Sequence, residues 1–90
     1  MSHLTKEIIV QNAQGLHARP AALFVQIASR YNSEVTIQKE NERVNGKSIM
    51  GILTLGVQPG VKVILEVSGE DAEKVIAELE ELLTKEVINE

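Results

Sequence analysis

Residues 15–21 read Gly-Leu-His-Ala-Arg-Pro-Ala, and they set the chemistry open to this chain. His17 offers an imidazole, and Arg19 a permanent cation whose planar donor fork matches phosphate oxygens. Pro20 has a fixed φ and no N–H, so it suits the first turn of a helix. Residues 21–28 (Ala-Ala-Leu-Phe-Val-Gln-Ile-Ala) continue as helix-forming sequence. His17 is therefore expected at a helix mouth, where unpaired backbone N–H groups point outward and the dipole favours negative charge. Imidazole in water titrates near ~6.5, so at cellular pH much of it is neutral and nucleophilic. Taken alone, a histidine at a helix start is more often a cap or a surface residue. Here Leu16 can pack beneath the turn and Ala18 leaves the ring uncovered, so imidazole, cation and amides together suit a group that carries a phosphoryl.

The elements that must hold this segment follow from periodicity. The β-branched run 7–10 reads as a first strand, and 11–15 as a polar loop. The first helix covers 18–29, with Pro20, Ala21, Leu23, Phe24, Val25, Ile27 and Ala28 on one broad face and Arg19, Gln26, Ser29 and Arg30 on the other. Residues 34–39 alternate, with Val35 and Ile37 inward, and Glu40-Asn41 turns into a short partner strand at 42–44. Ser48 in front and Gly56 behind bracket a short helix over 48–55, which must lean on the rest of the domain. Pro59-Gly60 marks a turn, 61–67 is the strongest strand, and 68–71 reads as a cap. The last helix carries Ala72, Val75, Ile76, Leu79, Leu82 and Leu83 as an apolar stripe. The order β-α-β-β-α-β-α implies an α+β, open-faced two-layer sandwich: a four-stranded, mainly antiparallel sheet with three helices on one face.

Composition narrows the function classes. Ninety residues suit one domain over 1–90, and 43% hydrophobic content is enough for a core. The only aromatics, Phe24 and Tyr31, fall outside the strands, so the core is aliphatic and no stacking platform for RNA exists. A net charge of −4 also argues against nucleic acid as partner. With no cysteine, disulfides and thiolate chemistry are out; two histidines alone make a metal site unexpected, and no cofactor is called for. No signal peptide or membrane-inserting run appears, which points to the cytoplasm. His3 is expected in a frayed tail, and Glu78, Glu80 and Glu81 on a solvated helix face.

Two further segments matter. Gly46-Lys47-Ser48 resembles the end of a phosphate-binding P-loop, but the required glycine at position 41 is Asn41, and the strand–loop–helix context is absent. In the short helix, Ile49, Met50, Ile52, Leu53 and Leu55 point nearly all round the axis. One side must stay exposed, and Met50 with Ile49 or Leu53 is expected there as a protein-binding patch.

With the heptad, the run Lys47-Ser48-Ile49-Met50-Gly51-Ile52 and the element order together, nearly the whole chain resembles HPr, the histidine-containing phosphocarrier family of the bacterial sugar phosphotransferase system. The resemblance implies that His17 accepts a phosphoryl group on Nδ1 from the phosphoenolpyruvate-dependent enzyme I and passes it to enzyme IIA domains, with Arg19 stabilising the phosphate. It makes Ala18, Lys47, Ile49, Met50 and Leu53 partner-binding residues. It adds to Ser48, a helix N-cap on sequence grounds, the role of the serine modified by an ATP-dependent HPr kinase/phosphorylase, with a transcriptional regulator as a further partner. Such a phosphate brings about −1.5 to −2 charges to the docking surface. The implied protein is a monomeric substrate and donor of phosphoryl groups and not an enzyme. The alternative is a regulatory paralogue of the same fold, of the nitrogen branch or of carbon catabolite control, acting through protein binding. A purely serine-regulated paralogue need not carry His17.

Overall fold

The computed structural model describes residues 2–85; the single-domain expectation also takes in residue 1 and residues 86–90, which lie outside the described residues. Strands β1 (Ser2–Ile9), β2 (Glu34–Lys39), β3 (Glu42–Asn45) and β4 (Lys62–Gly69) alternate with helices α1 (Ala18–Ser29), α2 (Ile49–Leu55) and α3 (Ala72–Thr84) in the order β-α-β-β-α-β-α. The sheet is antiparallel throughout, in the order β1-β4-β2-β3, so the last strand in sequence sits inside it.

Alternation explains why β4 takes that place. Val63, Leu65 and Val67 are fully buried beneath the helices, while Lys62, Ile64 and Glu66 face the uncovered side. Val35 and Ile37 continue the inner face on β2, as their spacing predicts. Phe24, Leu79 and Leu83 meet them from α1 and α3. Helix α1 runs from Ala18 to Ser29 as expected, with Pro20, Ala21, Phe24 and Ala28 buried.

Three expectations need correction. Strand β1 begins at Ser2 and not near residue 7, and His3 is not in a frayed tail. All eight residues of β1 pair with β4, and His3 meets Glu66 at 2.9 Å on the open face, where Arg43 reaches the same carboxylate at 2.9 Å. Periodicity hides this strand because Lys6 occupies an inner-face position between Leu4 and Ile8; its ammonium reaches Glu80 of α3 at 2.7 Å. Second, β4 extends through Ser68 and Gly69, and Asp71 stands at the head of α3 without a side-chain cap bond. Third, Glu78 and Glu80 are not merely solvated: Glu78 accepts from Tyr31 and Arg30 of the α1 end, and Glu80 from Lys6.

The brackets of α2 are as read. Ser48 is its N-cap and Gly56 its C-cap at φ 68, a left-handed conformation that glycine adopts without cost.

Candidate functional site

His17 is the N-cap residue of α1, extended at φ −106 and ψ 162, and its ring makes no cap bond. The bland reading of this histidine as a helix cap is thereby removed. Its carbonyl accepts the first helical bond, from Ala21 N–H at 3.2 Å. The N–H groups of Ala18 and Arg19 precede that bond, and Pro20 has none to offer. The expected set of amides is therefore a pair. Ala18 holds φ 35, an unfavourable region for a residue with a Cβ, which costs on the order of 1–2 kcal/mol. Both His17 and Arg19 are exposed. Among the described residues the cations that meet carboxylates are His3, Lys6, Arg30, Arg43, Lys62 and Lys85, so Arg19 keeps its donors available.

The loop before His17 is held from three sides. Gly15 sits at φ 60, and a Cβ there would lie 2.3 Å from the Val57 carbonyl oxygen, so only glycine fits. Leu16 is fully buried and its N–H donates to that same carbonyl at 3.0 Å. The N–H groups of Gln11 and Asn12 both donate to the Leu83 carbonyl at the end of α3, at 2.8 and 3.2 Å. Asn12 itself, 1% exposed, donates through Nδ2 to the Gly15 carbonyl at 2.8 Å. Sequence reading passed over Asn12; an asparagine three residues before a turn glycine was its only signal.

Helix α2 packs beside α1 and runs antiparallel to it. Lys47 Nζ donates to the Tyr31 carbonyl just past the C-terminus of α1, at 2.7 Å, while Val57, just past α2, accepts from Leu16 at the start of α1. Lys47 is thus half-buried and its ammonium is committed to a structural tie. Ser48 and His17 stand at opposite ends of the pair, separated along the axis by the seven residues of α2, a rise of about 10 Å. Ser48 Oγ accepts from Gly51 N–H at 3.1 Å, as the N-cap reading expects. Ile49, Met50 and Leu53 are 38%, 66% and 40% exposed and line the outer side of α2.

Charge is unevenly placed along the chain. Residues 10–33 and 44–61, which build the His17 loop, α1 and α2, contain no aspartate or glutamate, and all 13 acidic residues lie elsewhere. The charged side chains of these two stretches are Arg19, Arg30 and Lys47. This block pattern was legible in the sequence but masked by the net charge of −4. Clefts of about 430, 270 and 240 Å³ are lined around Ser33, Glu66 and Asn45, and His17 and Arg19 line none of these three. An exposed side chain outside a cleft is met by a macromolecule more readily than by a small substrate. At the far end of α1, Tyr31 donates to the Glu78 carboxylate, and this bond, burial and the Glu78 charge hold the phenol above its usual pKa of 10.0.

A family model described as the PTS HPr component phosphorylation site matches residues 4–85. The chain belongs to the HPr family. It is 43% identical to the HPr-like protein Crh of Bacillus subtilis over 91% of this chain and 96% of that one. It is 42% identical to the phosphocarrier protein HPr of Borreliella burgdorferi, covering 87% of this chain and 91% of the other. The crystal structure of HPr from Bacillus anthracis superposes with a TM-score of 0.88 at 38% identity, covering 92% and 99% of the two chains. An HPr dimer from Thermoanaerobacter tengcongensis, 51% identical with a TM-score of 0.70 over 91% and 92% of the chains, shows that the monomer expectation does not hold across HPr relatives. In this HPr-family chain no helix among the described residues is long and apolar enough to cross a membrane. No group of three or more described His, Cys, Asp or Glu residues could hold a metal ion.

Proposed function

We propose that the chain is a cytoplasmic phosphocarrier in which His17 takes a phosphoryl group from enzyme I and delivers it to enzyme IIA domains for sugar uptake. The observation that carries this reading is the exposed His17 imidazole, uncommitted to capping, beside the Ala18 and Arg19 amides. The ring Nδ1 lone pair forms the P–N bond as the donor's bond to phosphorus breaks; the phosphoramidate so formed keeps a high transfer potential, and the same nitrogen later leaves. Arg19 and the two amides meet the phosphate oxygens, and the partner completes the site, since positioning and charge stabilisation dominate phosphoryl transfer. Ile49, Met50, Leu53 and Ala18 form the docking surface, and the chain performs no turnover of its own.

Ser48 is the regulatory position in this reading. At about 10 Å along the helix axis from His17, a phosphate there acts on the partner and not on the ring, by repelling an acidic docking surface across roughly a Debye length. The assay is incubation with enzyme I and phosphoenolpyruvate. An acid-labile, base-stable phosphate is expected on the wild type and is lost in His17→Ala; Ser48→Asp is expected to slow its appearance at least tenfold. Phosphate retained by His17→Ala would overturn the carrier role, and an unchanged rate in Ser48→Asp the regulatory one.

A second reading, a catabolite regulator acting through Ser48, is favoured by the 43% identity to an HPr-like protein named Crh. It predicts binding of a transcriptional regulator by the Ser48-phosphorylated chain, made by an HPr kinase/phosphorylase. His17, where a serine-only regulator needs none, keeps transfer as the first reading.

A further inference from the structure

Asn12 and Ser33 are the two buried polar side chains among the described residues. They lie toward opposite ends of α1, and only Asn12 belongs to the loop that presents His17. Its carboxamide donates from Nδ2 to the Gly15 carbonyl at 2.8 Å, while the Gly15 N–H returns to the Asn12 carbonyl at 3.3 Å. The two bonds close the turn 12–15 on itself. Its far end is pressed against Val57, and its near end hangs from the Leu83 carbonyl through the Asn12 N–H at 3.2 Å. Asn12 Oδ1 meets no protein donor. A buried acceptor without a protein partner destabilises a fold, and an apolar side chain would avoid it. The side chain is therefore retained for its donor half.

We propose that Asn12 is the positioning residue for His17: its buried carboxamide holds the Gly15 carbonyl and so fixes where the imidazole stands relative to the Ala18 and Arg19 amides. The inference rests on His17 as phosphoryl acceptor. Only Leu16 separates Gly15 from His17, so a change in the Gly15 peptide rotates the chain that carries the ring. Displacements of about 1 Å at a reacting centre cost up to 100-fold in rate. The turn meets the end of α2 through the Val57 carbonyl alone among its hydrogen bonds, and Ile49, Met50 and Leu53 lie in the preceding turns of that helix, so partner affinity should change less than turnover.

The test compares Asn12→Ala and Asn12→Asp with Ser33→Ala, which removes the other buried polar group far from His17. With enzyme I as donor, both Asn12 variants at neutral pH should lose at least tenfold in kcat with KM within twofold of the wild type, and Ser33→Ala neither. In Asn12→Asp, acidification protonates the carboxyl, which can then donate to Gly15. Its Leu16 and His17 amide resonances should return toward those of the wild type at the same pH, and Asn12→Ala should show no such return. Wild-type kcat in Asn12→Ala, an equal loss in Ser33→Ala, or no acid recovery in Asn12→Asp would each overturn the proposal. Should the variants not fold, the wild type decides. Its Asn12 side-chain amide protons should exchange slowly and shift when His17 is phosphorylated chemically with phosphoramidate; unmoved resonances count against the role. If enzyme I does not phosphorylate the wild type, the carrier reading fails while the resonance measurements still judge Asn12.

Discussion

Tyr31 shows how a single side chain acquires a property its neighbours in sequence do not suggest. Its hydroxyl donates to Glu78, 47 residues away, and the raised pKa means the folded chain holds that proton more tightly than the unfolded chain. The associated stability is fully present below the unfolded value near 10.0 and is lost as pH rises through the higher folded value. Urea unfolding at pH 8 and above pH 10 should therefore show a steeper alkaline fall in the wild type than in Tyr31→Phe. Parallel falls would show that the pair does not couple to folding. The heptad Gly15–Ala21 stands at the other extreme. Its place at the head of α1 was readable from residue types alone, because a helix start needs only neighbours within one turn. Asn12 was not readable, since its burial depends on a loop held by the distant Leu83 carbonyl and, through Gly15 and Leu16, by Val57.

Among the elements, α2 is the one that cannot stand alone. At seven residues it is far below the length at which an isolated helix persists. Ser48 and Gly56, its local brackets, were visible in the sequence. The third device was not: Lys39, at the end of β2, donates from Nζ to the Leu55 and Gly56 carbonyls at 3.1 and 3.2 Å. A cation on the last carbonyls satisfies orphan acceptors and complements the dipole. Lys39→Met should cost about 1 kcal/mol, a fall in Tm of about 5 °C for a domain of this size, read by circular dichroism. An unchanged Tm would mean that water replaces the ammonium without loss. Lys47 has a similar duty at the end of α1, so its place in the docking surface is secondary to its tie to Tyr31.

For the molecule as a whole, charge is segregated and not merely negative. Residues 10–33 and 44–61, which include His17 and α2, carry cations alone, and the acidic residues among those described lie on the strands, on α3 and in the turns beside them. Such a grouping steers an acidic partner, so association with enzyme I should slow at least tenfold between about 0.1 and 1 M salt, as the Debye length falls from about 10 to 3 Å. Dissociation should change little over that range. Stopped-flow mixing separates the two rates, and a salt-independent association rate would remove the steering role.

What the amino-acid order determined by itself was local: helix limits at Ala18 and Ser29, the brackets of α2, the stripe of α3, and an exposed histidine beside a cation at a helix start. These depend on interactions within a few residues, which spacing and side-chain type encode directly. Tertiary structure alone decided that β4 lies between β1 and β2, that the polar segment from Ser2 is a strand, and that Ser48 and His17 stand at opposite ends of a helix pair. Each rests on partners distant along the chain. Backbone pairing carries no side-chain signature of its own, and an ion pair between elements such as Lys6 to Glu80 looks, in sequence, like two solvated charges.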